Sequence, residues 1–196
     1  MIDYIKGEIT ELTPAYVVIE TGGIGYFINI ALPVFSLLSG KNSVKLYIYE
    51  VIREDAYLLY GFSTKDERQL FLLLISVSGI GANTARMIMS SYSVEELQGI
   101  IASENDSALS SIKGIGTKTA QRIIVDLKDK ILKITSNKEN IPAFKDTTSQ
   151  IKEEAIAALV MLGFSAAVSQ KAIESILKKQ SVANVEDLIK QVLKII

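Results

Sequence analysis

Two copies of one glycine-containing motif hold the residues of this chain that are best suited to bind a ligand. The stretches 76–88 and 111–123 align at an offset of 35, with seven of 13 positions identical. Each copy turns on Gly-Ile-Gly and opens the next helix through Thr and Ala. Glycine permits positive φ and close approach of a ligand, and free amides at a helix N-terminus attract anions. The repeat therefore predicts two phosphate-binding turns.

Eleven residues of the two motifs are the expected phosphate contacts. They are Gly79, Ile80, Gly81, Asn83, Thr84, Gly114, Ile115, Gly116, Lys118, Thr119 and Arg122. Backbone amides would supply most of the contacts, so few lysines are needed. A nucleotide-binding P-loop is excluded because its Gly-Lys-Ser/Thr sequence is absent after Gly116, where Thr follows the glycine directly. A dinucleotide-binding fingerprint is excluded because Thr84 and Thr119 stand where its third glycine is required. A plain helix–helix turn remains open for either copy taken alone.

Composition excludes several other kinds of site. The 196 residues include no His and no Cys, so the chain cannot build a zinc finger, a thiol nucleophile, a disulfide or a His-centred triad. Its 21 basic and 22 acidic residues give a net charge of −1, which argues against a basic nucleic-acid coat. We expect no cofactor and no metal. No signal-like or membrane-spanning stretch is recognisable, so a cytoplasmic location is expected.

The aromatic residues separate a β-rich first region from a helical remainder. Ten of the 14 lie in residues 1–63, where β-branched residues and turn signals predict strands. The predicted strands are 2–12, 15–20, 25–30, 44–53 and 56–60, with a short helix at 33–38. Five short strands favour a small closed barrel over a sandwich.

Helical periodicity begins at residue 64 and continues towards the C-terminus. Thr64 and Ser93 begin capping boxes, and Asn184 is a candidate N-cap. The predicted helices are 64–76, 82–91, 93–103, 105–111, 117–132, 150–162, 165–179 and 185–194. The polar stretch 133–148 has no apolar period and is predicted to be a flexible linker. The expected domains, joined by this linker, are 1–63, 64–132 and 149–196.

Two adjacent carboxylates, Glu54 and Asp55, fall between the fourth and fifth predicted strands, at the tip of a hairpin. A solvated turn is a common place for Asp. Negative charge at an exposed tip would also repel the phosphates of a bound nucleic acid. The local pattern alone favours the solvated turn and leaves the repulsive role as an alternative.

The paired turns look like a tandem helix–hairpin–helix module, which binds duplex DNA by the phosphates that flank its minor groove. The stretches 22–26, 51–62 and 154–164 resemble those of the RuvA family, and the resemblance runs in order along the chain apart from the linker. It implies a multidomain α+β fold with an OB-fold barrel and a tandem helix–hairpin–helix domain. A C-terminal domain of three helices, UBA-like, would follow the flexible linker.

The resemblance also implies a function and partners. Members of the family form homotetramers, singly or in pairs, that hold a four-way (Holliday) junction open. Their tethered domain, 149–196 here, contacts the hexameric ATPase RuvB, and the resolvase RuvC is a further partner where it is present. Glu54 and Asp55 match the family's acidic pin at the crossover. The chain itself is expected to have no catalytic site.

Two departures from the family's pattern concern charge. Asn83 stands where the first motif usually has lysine, and Thr117 stands where the second often has one. Arg86, Lys113 or Arg122 could compensate, although the two arginines could also face elsewhere on their helices.

Two other function classes remain open at this stage. A helix–hairpin–helix repair enzyme, either a glycosylase or a nuclease, would need a catalytic Asp or Lys or a set of metal-binding carboxylates. A general single-strand binder would use the aromatic residues of the barrel, although most of these are expected in the core.

Overall fold

The first region is a closed barrel of five strands, as predicted. The strands are β1 (Tyr4–Leu12), β2 (Tyr16–Thr21), β3 (Ile24–Ile30), β4 (Ser43–Ile52) and β5 (Tyr57–Phe62). They close in the order β1-β2-β3-β5-β4, and only β3 and β5 pair in parallel. Alternate side chains point inward, which buries an aliphatic core that includes Ile19, Ile28 and Leu46. The barrel core is thus made of the same alternating residues that predict the strands.

Nine helices are found in the part of the chain that the structure describes. They are α1 (Leu32–Leu38), α2 (Lys65–Ile75), α3 (Ala82–Ser91), α4 (Val94–Ala102), α5 (Asp106–Ser110), α6 (Thr117–Glu139), α7 (Thr147–Met161), α8 (Ala166–Leu177) and α9 (Val185–Val192). The Thr64 hydroxyl accepts from the amide of Glu67, and Ser93 forms the full capping box with Glu96. These predicted helix starts are confirmed.

The structure, a computed structural model, describes residues 1–139, 147–177, 184–193 and 195. The chain forms two compact units, Met1–Ser136 and Asn137–Ile196. None of the helices in these described ranges is both long and apolar enough to cross a membrane.

The barrel and the helices α2–α6 belong to the first unit because they share a core. Phe71 on α2 is fully buried, and its ring centroid lies 4.9 Å from that of Phe62 and 5.5 Å from that of Tyr60. The Arg68 guanidinium donates to the carbonyl of Ile48 at 3.2 Å and pairs with the Asp3 carboxylate at 2.8 Å. The helical hairpins are therefore fixed on the barrel by packing and by a long side chain.

The second unit is a bundle of α7, α8 and α9 with its own core. Ala155, Leu159, Ile173 and Leu188 are among its buried residues. The side-chain oxygen of Asn184 accepts from the amide of Asp187 at 2.8 Å, so the predicted N-cap is confirmed. Burial of these aliphatic side chains stabilises the bundle in the ordinary way for a small helical domain.

The predicted linker 133–148 is partly wrong. Helix α6 continues to Glu139 and α7 begins at Thr147, so both ends of that stretch are helical rather than coil. No Gly or Pro precedes Pro142 to end α6, and an absent apolar period does not by itself end a helix. Residues 140–146 of the predicted linker lie outside the described residues, and the domain boundaries stay a prediction.

Candidate nucleic-acid interface

The two Gly-Ile-Gly turns have the same backbone conformation. Gly79 and Gly114 both have φ of +90°, in the left-handed region that glycine adopts readily. The amide of Ile80 donates to Val77 at 3.0 Å, and the amide of Ile115 donates to Ile112 at the same distance. The first turn joins α2 to α3 and the second joins α5 to α6. The aligned sequences thus form two matching helix–hairpin–helix units.

The central isoleucines fix these turns from inside. Ile80 is 5% exposed and Ile115 is 4% exposed, and both belong to the core of the first unit. Their amides are already bonded within the turns. These two residues therefore support the turns by packing and by their amide bonds. Phosphate contact by the eleven residues stays a prediction.

The first turns of α3 and α6 present backbone donors to solvent. Gly81 is the N-cap of α3 and supplies no side-chain acceptor to its amides. The carbonyl of Gly116 accepts from the amides of Thr119 and Ala120 at 2.9 Å, which leaves the Thr119 hydroxyl as that residue's possible contact. Donors at a helix N-terminus, together with the positive end of its dipole, suit a phosphate oxygen.

The second hairpin carries a cation at its helix start and the first does not. Lys118 is exposed on the first turn of α6. The aligned residue, Asn83, is also exposed, and its side-chain oxygen accepts from the Tyr60 hydroxyl at 3.0 Å. Burial raises the pKa of Tyr60 above its ordinary value, so the hydroxyl keeps its proton at neutral pH and remains the donor.

The two arginines of the motifs have different surroundings. Arg86 donates to the carbonyl of Ala15 at 2.9 Å and to the Asn29 side chain at 3.2 Å, so it fixes α3 to the barrel. Arg122 is exposed and donates to the carbonyl of Ser78 at 3.1 Å, beside Gly79 of the first hairpin. Of the compensating cations considered, Arg86 is therefore occupied elsewhere, while Arg122 lies at the hairpin surface and Lys113 is exposed.

Glu54 and Asp55 form the two-residue tip of the β4–β5 hairpin, as predicted. The amide of Arg53 donates to the carbonyl of Ala56 at 2.8 Å and closes the turn. Both carboxylates are exposed, and within the described residues neither is found in an ion pair. The tip therefore presents two uncompensated negative charges to whatever approaches it.

Two features of this surface were missed by sequence reasoning. The Tyr60–Asn83 hydrogen bond joins residues 23 apart, and the Arg122–Ser78 bond joins residues 44 apart. A local pattern carries no signal for the first bond. The repeat carries none for the second bond either, because the equivalence of positions 87 and 122 does not specify which carbonyl a side chain meets.

Among the residues that the structure describes, no group of three or more Asp and Glu side chains is placed to hold a metal ion.

Comparisons with known proteins agree with the order of these regions. Three family models match: the RuvA N terminal domain over residues 1–61, the SAM-like helix-hairpin-helix tandem over 71–129, and the RuvA C-terminal domain over 150–196. Among similar curated proteins, that of Bacteroides fragilis is 58% identical over 199 residues, which cover 99% of each chain. Those of Parabacteroides distasonis and Flavobacterium psychrophilum are 55% and 44% identical over 100% and 99% of both chains. All three are named Holliday junction branch migration complex subunit RuvA.

Proposed function

This chain belongs to the RuvA family, and from that premise we propose that it is the DNA-recognition subunit of a branch-migration complex. It binds the four-way Holliday junction by shape through phosphate contacts, holds the junction open, and has no catalytic site of its own. The motor is the ATPase RuvB, which it recruits and stimulates. We place this activity in the cytoplasm, with homotetramers, single or paired, as the working assembly and RuvC as a further partner.

The observation that carries the proposal is the match between the two hairpins. Two turns with φ of +90° at equivalent glycines, each followed by a helix start, supply two equivalent sets of backbone donors on one compact unit. Contacts of this kind read the phosphate backbone and not the bases. Selectivity should therefore follow the shape of the junction more than its sequence.

A competition binding experiment tests the proposed function. Labelled four-way junction is bound to the full-length protein and challenged with unlabelled junction, duplex of the same sequence, or single strand. We expect junction to compete best. Preference for single strand would favour the single-strand binder, and strand cleavage in the presence of Mg²⁺ would favour the nuclease.

The surface of the C-terminal bundle supports its proposed role as the RuvB-binding domain. Met161 is 90% exposed and Leu162 is 61% exposed at the end of α7, and Val160 beside them is 44% exposed. These three residues are consecutive in the chain, and exposed apolar surface in a small domain is a common feature of protein-binding sites. We propose that residues 149–196 use this surface, defined here as Val160, Met161 and Leu162, to bind the motor.

Replacing Asn83 by lysine is expected to steepen the salt dependence of junction binding. Each added phosphate contact changes the slope of log K against log salt by about −0.9 per subunit. The native chain should accordingly show a weaker salt dependence than relatives with lysine at this position. Asn83→Met is the matched control, because it removes the acceptor for Tyr60 without adding charge. Equal slopes for the lysine and methionine variants would contradict the prediction.

Neutralising the tip of the β4–β5 hairpin is expected to tighten junction binding at low salt. In Glu54→Gln with Asp55→Asn, loss of repulsion of order 1 kcal/mol should raise affinity about fivefold. The gain should shrink as salt rises from about 0.05 to about 0.3 M, because a higher salt concentration shortens the Debye length and screens the repulsion between the tip and the phosphates. Energy transfer between labelled arms should also report a more stacked junction.

The control for this variant removes two charges elsewhere on the barrel. Glu8 and Glu20 face each other across β1 and β2 and are both exposed. Replacing both with glutamine changes the net charge by the same amount. If this control tightens binding as much as the tip variant, general charge and not the position of the tip is responsible.

A further inference from the structure

The outer face of the barrel carries a group of lysines that the proposed function does not use. On the neighbouring strands β1 and β4, Lys6 lies directly opposite Lys45, and both side chains are exposed. Lys65, the first residue of α2, is also exposed. Like charges that face each other across two strands destabilise a sheet. Within the described residues none of the three lysines is found in an ion pair, so the fold leaves this positive charge uncompensated.

Two tyrosine rings hold the lysine side chains together on this face. The Nζ of Lys45 lies 4.0 Å from the ring centroid of Tyr4 and 5.0 Å from that of Tyr47. The Nζ of Lys65 lies 5.8 Å from the same Tyr47 centroid. Attraction between a cation and a ring is modest at exposed sites, and it adds no negative charge. The ammonium groups therefore stay close together and keep hydrogen-bond donors for an anion.

An open cavity adjoins the lysines at the start of β1. Its volume is about 310 Å³, and its lining residues are Ile2, Tyr4, Ile5, Lys6, Thr21 and Tyr26. Tyr4 is half exposed and belongs to both features, because its ring lies under the Lys45 ammonium and also forms a wall of the cavity. Aliphatic and aromatic walls suit an apolar group. The cavity thus offers an apolar site directly beside a cationic one.

We propose that this face, defined here as Tyr4, Lys6, Lys45, Tyr47 and Lys65, binds an acidic segment of a protein partner that carries one large apolar side chain. The carboxylates of the segment pair with the lysines, and its apolar side chain enters the cavity beside Tyr4. An apolar anchor surrounded by a polar rim is the common arrangement of a protein interface, where tyrosine is enriched. The inference does not depend on junction binding.

The surroundings of the face favour a short acidic segment over a nucleic acid. Bases of a single strand stack on open aromatic rings, whereas lysine ammonium groups lie over both rings here. A duplex carries phosphates along its whole length. It would meet Glu8, which follows Lys6 on the same side of β1, and Glu20 opposite it on β2, both of them exposed. These carboxylates repel a long polyanion and leave room for a short one.

Binding of a synthetic peptide to the full-length protein, without DNA, tests the proposal. The probe is a fluorescently labelled peptide in which aspartates flank one phenylalanine, and its anisotropy measures binding. We expect saturable binding that Lys6→Gln with Lys45→Gln weakens about fivefold, because two exposed charge pairs are lost. A peptide with asparagine in place of every aspartate should not bind. Absence of saturable binding of the acidic peptide to the unchanged protein would overturn the proposal.

The cavity is tested by changing both partners. Replacing the phenylalanine of the peptide by alanine should weaken its binding to the unchanged protein about tenfold, because an aromatic side chain is no longer removed from water. In Tyr4→Ala the two peptides should bind alike, since a wall of the cavity is missing. An undiminished preference for phenylalanine in this variant would show that the apolar side chain does not enter the cavity, and would overturn that part of the proposal.

The matched control removes two charges from other exposed lysines of the same compact unit. Lys113→Gln with Lys130→Gln changes the net charge by the same amount and should leave the affinity for the peptide unchanged. Equal losses for the two double variants would show that net charge, and not this face, attracts the peptide. Displacement of the labelled peptide by a single strand at a lower concentration than by unlabelled peptide would assign the face to nucleic acid instead.

Junction affinity distinguishes this face from the proposed DNA interface. At about 0.15 M salt, where charges more than about 8 Å from the DNA are largely screened, Lys6→Gln with Lys45→Gln should bind the four-way junction as the unchanged protein does. Parallel losses of peptide and junction affinity would place the face within the DNA interface and overturn its assignment to a protein partner. If the unchanged protein binds the peptide but shows no preference for the junction, the proposed function fails and this inference stands.

Discussion

Replacing Gly79 and Gly114 by alanine in one variant should reduce junction affinity by about a hundredfold or more. Both residues have φ of +90°, where a Cβ is strained by roughly 1–3 kcal/mol per residue. Each turn would relax to a different conformation and misdirect the amides that follow it. A hydrogen bond to a charged group contributes roughly 1.5–3 kcal/mol, and about 1.4 kcal/mol is a factor of ten in affinity.

The strain itself must be separated from the loss of the binding turn. Gly40 has φ of +80° and open space around its Cβ position, in the connection between α1 and β4. Gly40→Ala should therefore lower stability in the same way while leaving junction binding unchanged. Junction affinities and thermal unfolding midpoints of the single and double variants show whether strain or loss of the binding turn weakens binding. Equal binding losses for Gly40 and Gly79 variants would show that general destabilisation is responsible.

Deleting residues 149–196 is expected to abolish stimulation of RuvB and to leave junction binding intact. The hairpins and the acidic tip lie in the unit Met1–Ser136, which has its own core. The deleted bundle has a separate core and the exposed apolar surface proposed to bind the motor. Loss of RuvB stimulation is measured by ATPase activity and by branch migration of a labelled junction. Retained junction binding is measured by the affinity of the truncated protein for the junction.

A surface variant makes the same test without truncation. Met161→Asp with Leu162→Asp changes two side chains that are 90% and 61% exposed, so the bundle core is untouched. We expect the motor to lose stimulation with this variant as well. Loss of junction binding on deletion would mean that the proposed division between the two units is wrong.

Much of the fold could be predicted because its signals are local. The predicted strands and most predicted helices agree with the structure to within a few residues. Alternation of apolar residues, turn residues and capping boxes act over a few positions. The end of α6 was misplaced because the polar residues after 132 contain no helix breaker.

The candidate site was predictable only in part. The repeat located two equivalent Gly-Ile-Gly turns, and the two carboxylates were placed correctly at a hairpin tip. Phosphate binding at these turns stays a prediction. Ile80 and Ile115 are buried and their amides are bonded inside the turns, so their observed role is to support the turns. Their place in the motif is the same whether they support a ligand site or touch the ligand, so sequence alone could not distinguish these roles.

The sequence by itself determined that the chain has no His or Cys chemistry, that a barrel precedes helices, and that two equivalent glycine turns occur 35 residues apart. Only the tertiary structure decided which side chains lie beside those turns. Arg86 meets the carbonyl of a residue 71 positions away on the barrel, whereas Arg122 meets the opposite hairpin across 44 positions. A long side chain finds its partner after whole elements have packed, and such contacts depend on the orientation of helices and strands that no short stretch of sequence specifies.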